Sequence, residues 1–235
     1  MRRIGIRGLD LGGAALGLIL AVPILIVVPM LIKLDSPGPV FYKQLRTGVN
    51  RRRKDRRAIN VLPEDNLRRQ DLYGRPFYIY KFRTMEEDAE RRSGAVWAMQ
   101  DDPRITTVGR WLRRLHLDEI PQFWNVLRGE MSLVGPRPER PEIIRRLVVE
   151  IPGYQKRLAV KPGITGPAQI CLGYDSSMDD VRRKIQMDLL YISNRSLPLQ
   201  LRVLSLTLLK ILSSAPTIDA KFVAPHLRLE SLSYE

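Results

Sequence analysis

The sequence predicts a mixed α/β fold, mostly helical with a small sheet, carrying an N-terminal membrane helix and helices suited to lie in the membrane interface. Three observations predict it. Leu11 to Ile32 has no charged or strongly polar side chain, about the length of a helix that enters a bilayer. Phe77 to Phe82 alternates and is aromatic, as a strand is. The rest of the chain repeats apolar residues at helical spacing.

Taken in order, the apolar run is too long for a typical signal-peptide core. Lys33 to Pro39 also lacks a small-x-small cleavage pattern, so the segment is retained. Arg2, Arg3 and Arg7 precede it, while Lys33, Lys43, Arg46 and the run Arg51, Arg52, Arg53, Lys54, Arg56, Arg57 follow. Positive charge on both flanks conflicts with a simple span, because Lys and Arg favour one face. Pro23 and Pro29 each remove a backbone donor. A helix that bends near Pro23 and returns to its own face satisfies both facts; a spanning helix with tolerated proline kinks is the alternative.

Beyond it, Ser36 to Pro39 is a turn and Val40 to Tyr42 a short strand or extended segment. Residues 48–75 are basic and aperiodic and read as a loop. Glu86 to Arg92 reads as a short charged helix. Thr107 to Leu117 reads as a helix with Trp111, Leu112 and Leu115 at helical spacing. Pro121 opens a second, carrying Phe123, Trp124, Val126 and Leu127 and ended by Gly129. Pro141 to Val149 is a further helix, stopped by Pro152 and Gly153. Asp179 to Asn194 is amphipathic, with Leu189, Leu190 and Tyr191 apolar. Leu197 to Leu212 is apolar around much of its circumference, with Arg202 and Lys210 its only charges. It suits either the headgroup layer or a core.

Composition narrows the function. A chain of 235 residues makes one domain, and 44% hydrophobic with 27% charged residues excludes a disordered polymer. The net charge of +14 calls for anionic partners: nucleic acid, lipid headgroups or phosphorylated substrates. Cys171 is the sole cysteine, which rules out an intrachain disulfide. His116 and His226 have no companions for a zinc site, so metal chemistry would be carboxylate chemistry with a hard ion such as Mg²⁺.

Three clusters carry chemistry. Asp118 and Glu119 stand between Leu117 and Ile120, and adjacent helical positions point about 100° apart. One carboxylate can then act as nucleophile or metal ligand while its neighbour contacts a second substrate. Equally, two acids ahead of Pro121 favour a helix dipole. In Ser132 to Pro138, two prolines fix the backbone around Arg137, which suits bidentate phosphate recognition or a plain exposed turn. In Lys161 to Pro167, two glycines and Thr165 surround a lysine and can bring backbone N–H groups to an anion, though this is no Walker loop. Tyr80 to Met85 adds Lys81 and Arg83 beside a hydroxyl. Any of these basic spots suits nucleic acid too.

Together the motifs resemble a known family. Tyr80 to Met85 (YKFRTM), Asp102 to Gly109 (DPRITTVG), Leu117 to Asn125 (LDEIPQFWN), Met131 to Pro138 (MSLVGPRP) and Lys161 to Gln169 (KPGITGPAQ) follow in the order found in bacterial sugar transferases. These are the monotopic phosphoglycosyl transferases that act on undecaprenyl phosphate. The resemblance runs from the membrane segment to about Leu212. It implies a re-entrant membrane helix over residues 1–34 broken at Pro23, a cytoplasmic catalytic domain over 35–212 with a basic insertion at 48–75, and a tail over 213–235. It implies that a UDP-sugar donor loses UMP while its sugar phosphate passes, through an aspartyl intermediate, to undecaprenyl phosphate at the bacterial inner membrane. Asp118 matches the nucleophile and a Mg²⁺ ligand. Glu119 matches the residue helping to hold metal or polyprenyl phosphate. Lys81, Arg113 and Arg137 match positions that bind phosphate or support the dyad, and Arg83, Lys161 and Thr165 join them as candidate phosphate contacts.

Two departures stand out: Val22 precedes Pro23 where relatives often have serine, and residues 48–75 are longer than the family leads one to expect. The latter suit anionic headgroups. The extra N-terminal domain of large members has no counterpart, which reads as a minimal catalytic unit. The tail is expected to cover the site or to pair protomers, leaving a homodimer open. A membrane-anchored nucleic-acid binder leaves Asp118 and Glu119 without a role, so no nucleic-acid partner is expected. A non-catalytic assembly partner has no need of an intact dyad.

Overall fold

The computed structural model describes residues 2–50, 73–87, 89, 102–173, 177–213, 215 and 217–223. Most of the basic insertion, the greater part of the charged segment 86–92 and the end of the tail lie outside them. Glu86, Glu87 and Ala89 are turn or irregular rather than helical.

Two helices, α1 (Arg2–Leu20) and α2 (Val22–Asp35), open the chain. They bend by 58° at Ala21. Pro23 lies in the first turn of α2 and lacks the N–H that would continue α1, whereas Pro29 sits inside α2 without ending it. No single helix among the described residues is long and apolar enough to cross a membrane; the bent pair meets that test together.

One stripe of α1 faces the rest of the protein: Ile6, Asp10 and Ala14 are buried, as is Ala21 at the bend. Small residues let it approach. A Cβ on Gly13 would meet Leu133 at 2.6 Å, and one on Gly17 would meet the Phe123 ring at 2.9 Å. The opposite faces of the pair expose Leu16, Ile19, Leu20, Ile26, Val27, Met30 and Leu34. Segment 1–34 therefore shares its packing with the domain that follows.

Strand β1 (Phe41–Thr47) pairs antiparallel with β2 (Pro76–Phe82), with Tyr42 opposite Lys81. Helices α3 (Thr107–Arg114) and α4 (Gln122–Leu127) flank a 3-10 turn, Leu117–Glu119. Strand β3 (Ser132–Val134) leads to α5 (Pro141–Glu150) and pairs in parallel with β4 (Gly163–Thr165). Then come α6 (Pro167–Cys171), α7 (Met178–Asn194), α8 (Leu197–Ser213) and α9 (Ala220–Val223). The second, parallel strand pair has no counterpart in the sequence reading, because three-residue strands carry too little alternation.

Three apolar clusters hold this together. Ala14 of α1 joins Phe77, Val126, Leu133, Tyr191 and Val203 in the largest. Ile144, Leu147, Tyr154, Val181 and Ile185 fill the space between α5 and α7. Val28 and Ile32 of α2 pack with Phe82 and Leu112, and Leu117 and Ile120 lean on that group. Helix α7 buries Val181, Ile185 and Tyr191 and is a core helix. Helix α8 buries Gln200 and Val203 but exposes Leu201, Leu208, Leu209, Ile211 and Leu212. The described part of the tail packs on α6 and α8, through Val223 and a bond from Ile218 N to Ile170 O of 2.8 Å.

Candidate active site

His116 adopts the left-handed conformation at φ 55°, which histidine tolerates better than most residues, and it turns the chain out of α3 into the 3-10 turn. Leu117 and Ile120 anchor that turn on the α2 cluster. The alternation of apolar and acidic residues thereby sets Asp118 and Glu119 beside α2. Pro121 caps α4 immediately afterwards.

Two distant cations converge on the dyad. Lys81, near the end of β2, donates from Nζ to Glu119 Oε1 at 2.6 Å and stands 3.6 Å from Asp118 Oδ2. Arg137, on the turn after β3, donates from Nη2 to the same Glu119 oxygen at 3.0 Å. Among the described residues Asp118 accepts no hydrogen bond, although it is 7% exposed. The two carboxyls diverge electrostatically. Burial pushes Asp118 above its ordinary range, with Lys81 opposing and Glu119 adding to the rise. Burial also works against the Glu119 charge, but Lys81 and Arg137 outweigh it and hold that carboxyl well below its ordinary range.

The turn bearing Arg137 is braced from beneath. Arg157 donates from Nη2 to Arg137 O at 3.2 Å, and Arg46 from Nη1 to Pro138 O at 2.8 Å. Arg157 is itself held by Asp188 Oδ2 at 2.7 Å and by the Tyr154 hydroxyl at 2.7 Å. Burial pushes that phenol up to about 12. Arg113 donates to Thr84 Oγ1 at 2.9 Å, tying α3 to the segment after β2, and it bears on Asp118 by charge.

The other candidate contacts lie elsewhere. Arg83 is buried and gives its guanidinium to the carbonyls of Ile32, Ser36 and Pro37. It serves carbonyls at the end of α2 and in the turn that follows. Lys161 lies beside Gly129 with Arg7, at the C-terminal end of α4, whereas the dyad precedes its N-terminus. Thr165 shares its hydroxyl with Thr207 at 2.8 Å and links β4 to α8. Its loop is a buried strand, with its backbone groups already engaged by β3.

Sequence reading missed two carboxylates. Asp10 is 2% exposed and accepts from Ser132 Oγ at 2.8 Å and Leu133 N at 2.9 Å. Asp35 Oδ2 accepts from Val108 N at 2.9 Å and caps α3, tying the end of α2 to the helix before the dyad.

Among the described residues no three His, Cys, Asp or Glu side chains gather as a metal cage. Asp118 and Glu119 still fit Mg²⁺, which is commonly held by one or two carboxylates plus substrate phosphates.

The site is thus a buried carboxylate pair engaged by Lys81 and Arg137, on a 3-10 turn packed against the second helix of a bent apolar pair. The chain belongs to the bacterial sugar transferase family, whose sequence profile matches residues 1–56 and 66–214. The gap in that match, 57–65, falls inside the basic insertion. The chain is 40% identical over 207 residues to the UDP-N-acetylgalactosamine-undecaprenyl-phosphate N-acetylgalactosaminephosphotransferase of Aeromonas hydrophila, covering 88% of this chain and 43% of that protein. It is 37% identical over 206 residues to the UDP-glucose:undecaprenyl-phosphate glucose-1-phosphate transferase of Escherichia coli K12, covering 87% of this chain and 39% of that protein. It therefore spans less than half the length of either relative. It is also 37% identical over 203 residues to the exopolysaccharide production protein PSS of Rhizobium leguminosarum bv. phaseoli, covering 84% of this chain and 90% of that protein.

Proposed function

We propose that this protein transfers a sugar 1-phosphate from a UDP-sugar to undecaprenyl phosphate, releasing UMP, as a membrane step in making a bacterial surface polysaccharide. One observation carries the reading: the contrast between the two carboxylates. Glu119 is pinned by two cations, while Asp118 is buried, accepts no hydrogen bond from a described residue and stands 3.6 Å from the Nζ of Lys81. A carboxylate made more basic by burial and left free of donors is suited to attack.

In this mechanism an Asp118 oxygen attacks the β-phosphorus of the UDP-sugar. As that bond forms, the bond from β-phosphorus to the bridging oxygen breaks, and UMP leaves with its electron pair. A phosphate oxygen of undecaprenyl phosphate then attacks the same phosphorus. The bond to Asp118 breaks, and the carboxylate returns unchanged. Lys81 and Arg137, which both donate to Glu119, would stabilise the charge that gathers on the transferring phosphoryl group. Mg²⁺ held by Asp118 and Glu119 would neutralise the diphosphate.

The bent helix pair suits a one-leaflet path. At about 1.5 Å per residue, α1 and α2 are about 28 and 21 Å long. With both ends at one face, the 58° bend carries the apex about 10–14 Å deep, under half of a ~30 Å hydrocarbon core. Arg7 and Lys33 near the two ends favour the same cytoplasmic face and its anionic headgroups. The exposed apolar side of α8 suits the interface alongside.

The test is UMP release by detergent-purified protein with undecaprenyl phosphate, Mg²⁺ and a panel of UDP-sugars, beside Asp118→Asn. Release with one donor that vanishes in the variant is expected. Undiminished release in Asp118→Asn would overturn the assignment of the nucleophile.

A further inference from the structure

Asn125 is fully buried in α4. Its side chain is engaged with β2: Oδ1 accepts from Tyr80 N at 3.2 Å, and Nδ2 donates to Tyr78 O at 2.7 Å. A residue of a parallel strand set opposite Ile79 would make the same two bonds. The amide thus acts as a one-residue strand on the edge of β2. Nδ2 also donates to Glu130 Oε2 at 2.8 Å, and the Asn125 carbonyl accepts from Glu130 N at 3.0 Å. With a carboxylate and a carbonyl on one side and an N–H on the other, the network leaves a single orientation of the amide.

We propose that Asn125 is a positioning residue for the dyad, acting through Lys81; the proposal rests on the transfer reaction argued above. Lys81 follows Tyr80 directly in β2, and Asn125 lies six residues beyond Glu119, separated from it by little more than a turn of α4. Clamping Tyr80 to α4 therefore fixes the spacing between the base of Lys81 and the carboxylates it must reach. A lysine stem is long and flexible, so a short contact to Glu119 depends on where its backbone stands. Asparagine alone suits the task. Aspartate lacks the donor for Tyr78 O and would confront Glu130, glutamine carries its amide one methylene further, and alanine leaves Tyr78 O and Tyr80 N unpaired.

Two variants test this. Asn125→Ala removes the whole clamp. Asn125→Asp combined with Glu130→Gln keeps the volume and the contact to position 130, sets an acceptor in place of the donor toward Tyr78 O, and gives up the Glu130 ion pair with Arg128 at 3.3 Å. Each is compared with wild type by UMP release across pH and by acetic anhydride labelling of lysine amines read by mass spectrometry. Lys221, whose side chain is 69% exposed, serves as the internal standard.

Lys81 labelling relative to Lys221 is expected to rise several-fold in both variants while unfolding stays cooperative. The turnover number is expected to fall on the order of 10²-fold. If the alanine variant does not fold, the paired variant decides. Unchanged Lys81 labelling in a folded variant, whatever its turnover, overturns the positioning role. A wild-type protein that releases no UMP from any donor sinks the transfer reading instead, and the labelling still tells whether Asn125 holds Lys81.

Discussion

Lys81 Nζ and Glu119 Oε1 meet at 2.6 Å across 38 residues of sequence, and Arg137 reaches the same oxygen at 3.0 Å. One carboxylate oxygen thus serves two cations, while Asp118, one residue earlier, stands 3.6 Å from the shared lysine. Neighbouring acids in one turn receive opposite electrostatic treatment. That separation of roles is what a nucleophile beside a structural or metal-holding carboxylate requires.

Lys81→Gln follows directly from this. Removing the cation disfavours both carboxylates in their charged forms, so both pKa values rise. Glu119 is depressed in the folded protein, so the stability it adds is present above its ordinary value of 4.5 and is lost as pH falls through the folded value. In the variant the contribution is smaller and its loss is complete at a higher pH, and the acid limb of the kcat/KM profile for UMP release shifts the same way. A profile that falls uniformly at all pH values, with no shift of the limb, would sink this account.

Asp118→Asn is expected to abolish turnover and to stabilise the fold. A folded pKa raised by burial means the wild-type protein loses stability as pH rises from 3.8, the ordinary value, through the folded value. The amide has no charge to desolvate, so the variant should gain on the order of 1.4 kcal/mol per unit of that rise at neutral pH. Urea unfolding of both proteins at pH 7 and near pH 4 checks the sign: the gap should narrow at low pH. A variant less stable at pH 7 than at pH 4, relative to wild type, contradicts it.

How much of this could be read in the sequence depends on how local each signal is. The two acids between Leu117 and Ile120, and a guanidinium between Pro136 and Pro138, are local patterns, and they do meet. Arg83 stands apart from the dyad for a physical reason. On a continuing strand Lys81 and Arg83 share a face, but β2 ends at Phe82 and the chain turns Arg83 under α2. The strand that holds Thr165 was not legible, because a glycine-rich loop and a short buried strand have the same composition. Asn125 and Asp10 were silent because their partners lie 45 and 122 residues away, and no spacing rule reaches that far.

Arg83→Gln separates the two readings of that residue. As a phosphate contact, its loss would leave the fold intact and raise the KM for donor. As the donor to three carbonyls at the end of α2, its loss should cost about 2–3 kcal/mol of stability. Turnover per folded molecule should stay within an order of magnitude of wild type. Thermal unfolding in detergent beside initial rates of UMP release distinguishes them. A raised KM with an unchanged unfolding midpoint would restore the phosphate role.

Asp10 offers a sharper contest, because two views of α1 give opposite signs. If α1 were only a lipid anchor, Asp10→Leu would help it, since aspartate in an apolar helix disfavours insertion and leucine favours it. Here, however, Asp10 is buried against β3 and serves both Ser132 Oγ and Leu133 N. Leucine would leave two buried donors without an acceptor, a loss of about 2–5 kcal/mol. Asp10→Asn keeps a carbonyl oxygen in place and should cost far less. Because β3 leads into the turn that carries Arg137, the leucine variant should also lose turnover at temperatures where the asparagine variant keeps it. The ranking of unfolding midpoints, wild type first, then Asp10→Asn, then Asp10→Leu, is the measurement. A leucine variant at or above wild type would mean that α1 owes its place to lipid rather than to this carboxylate.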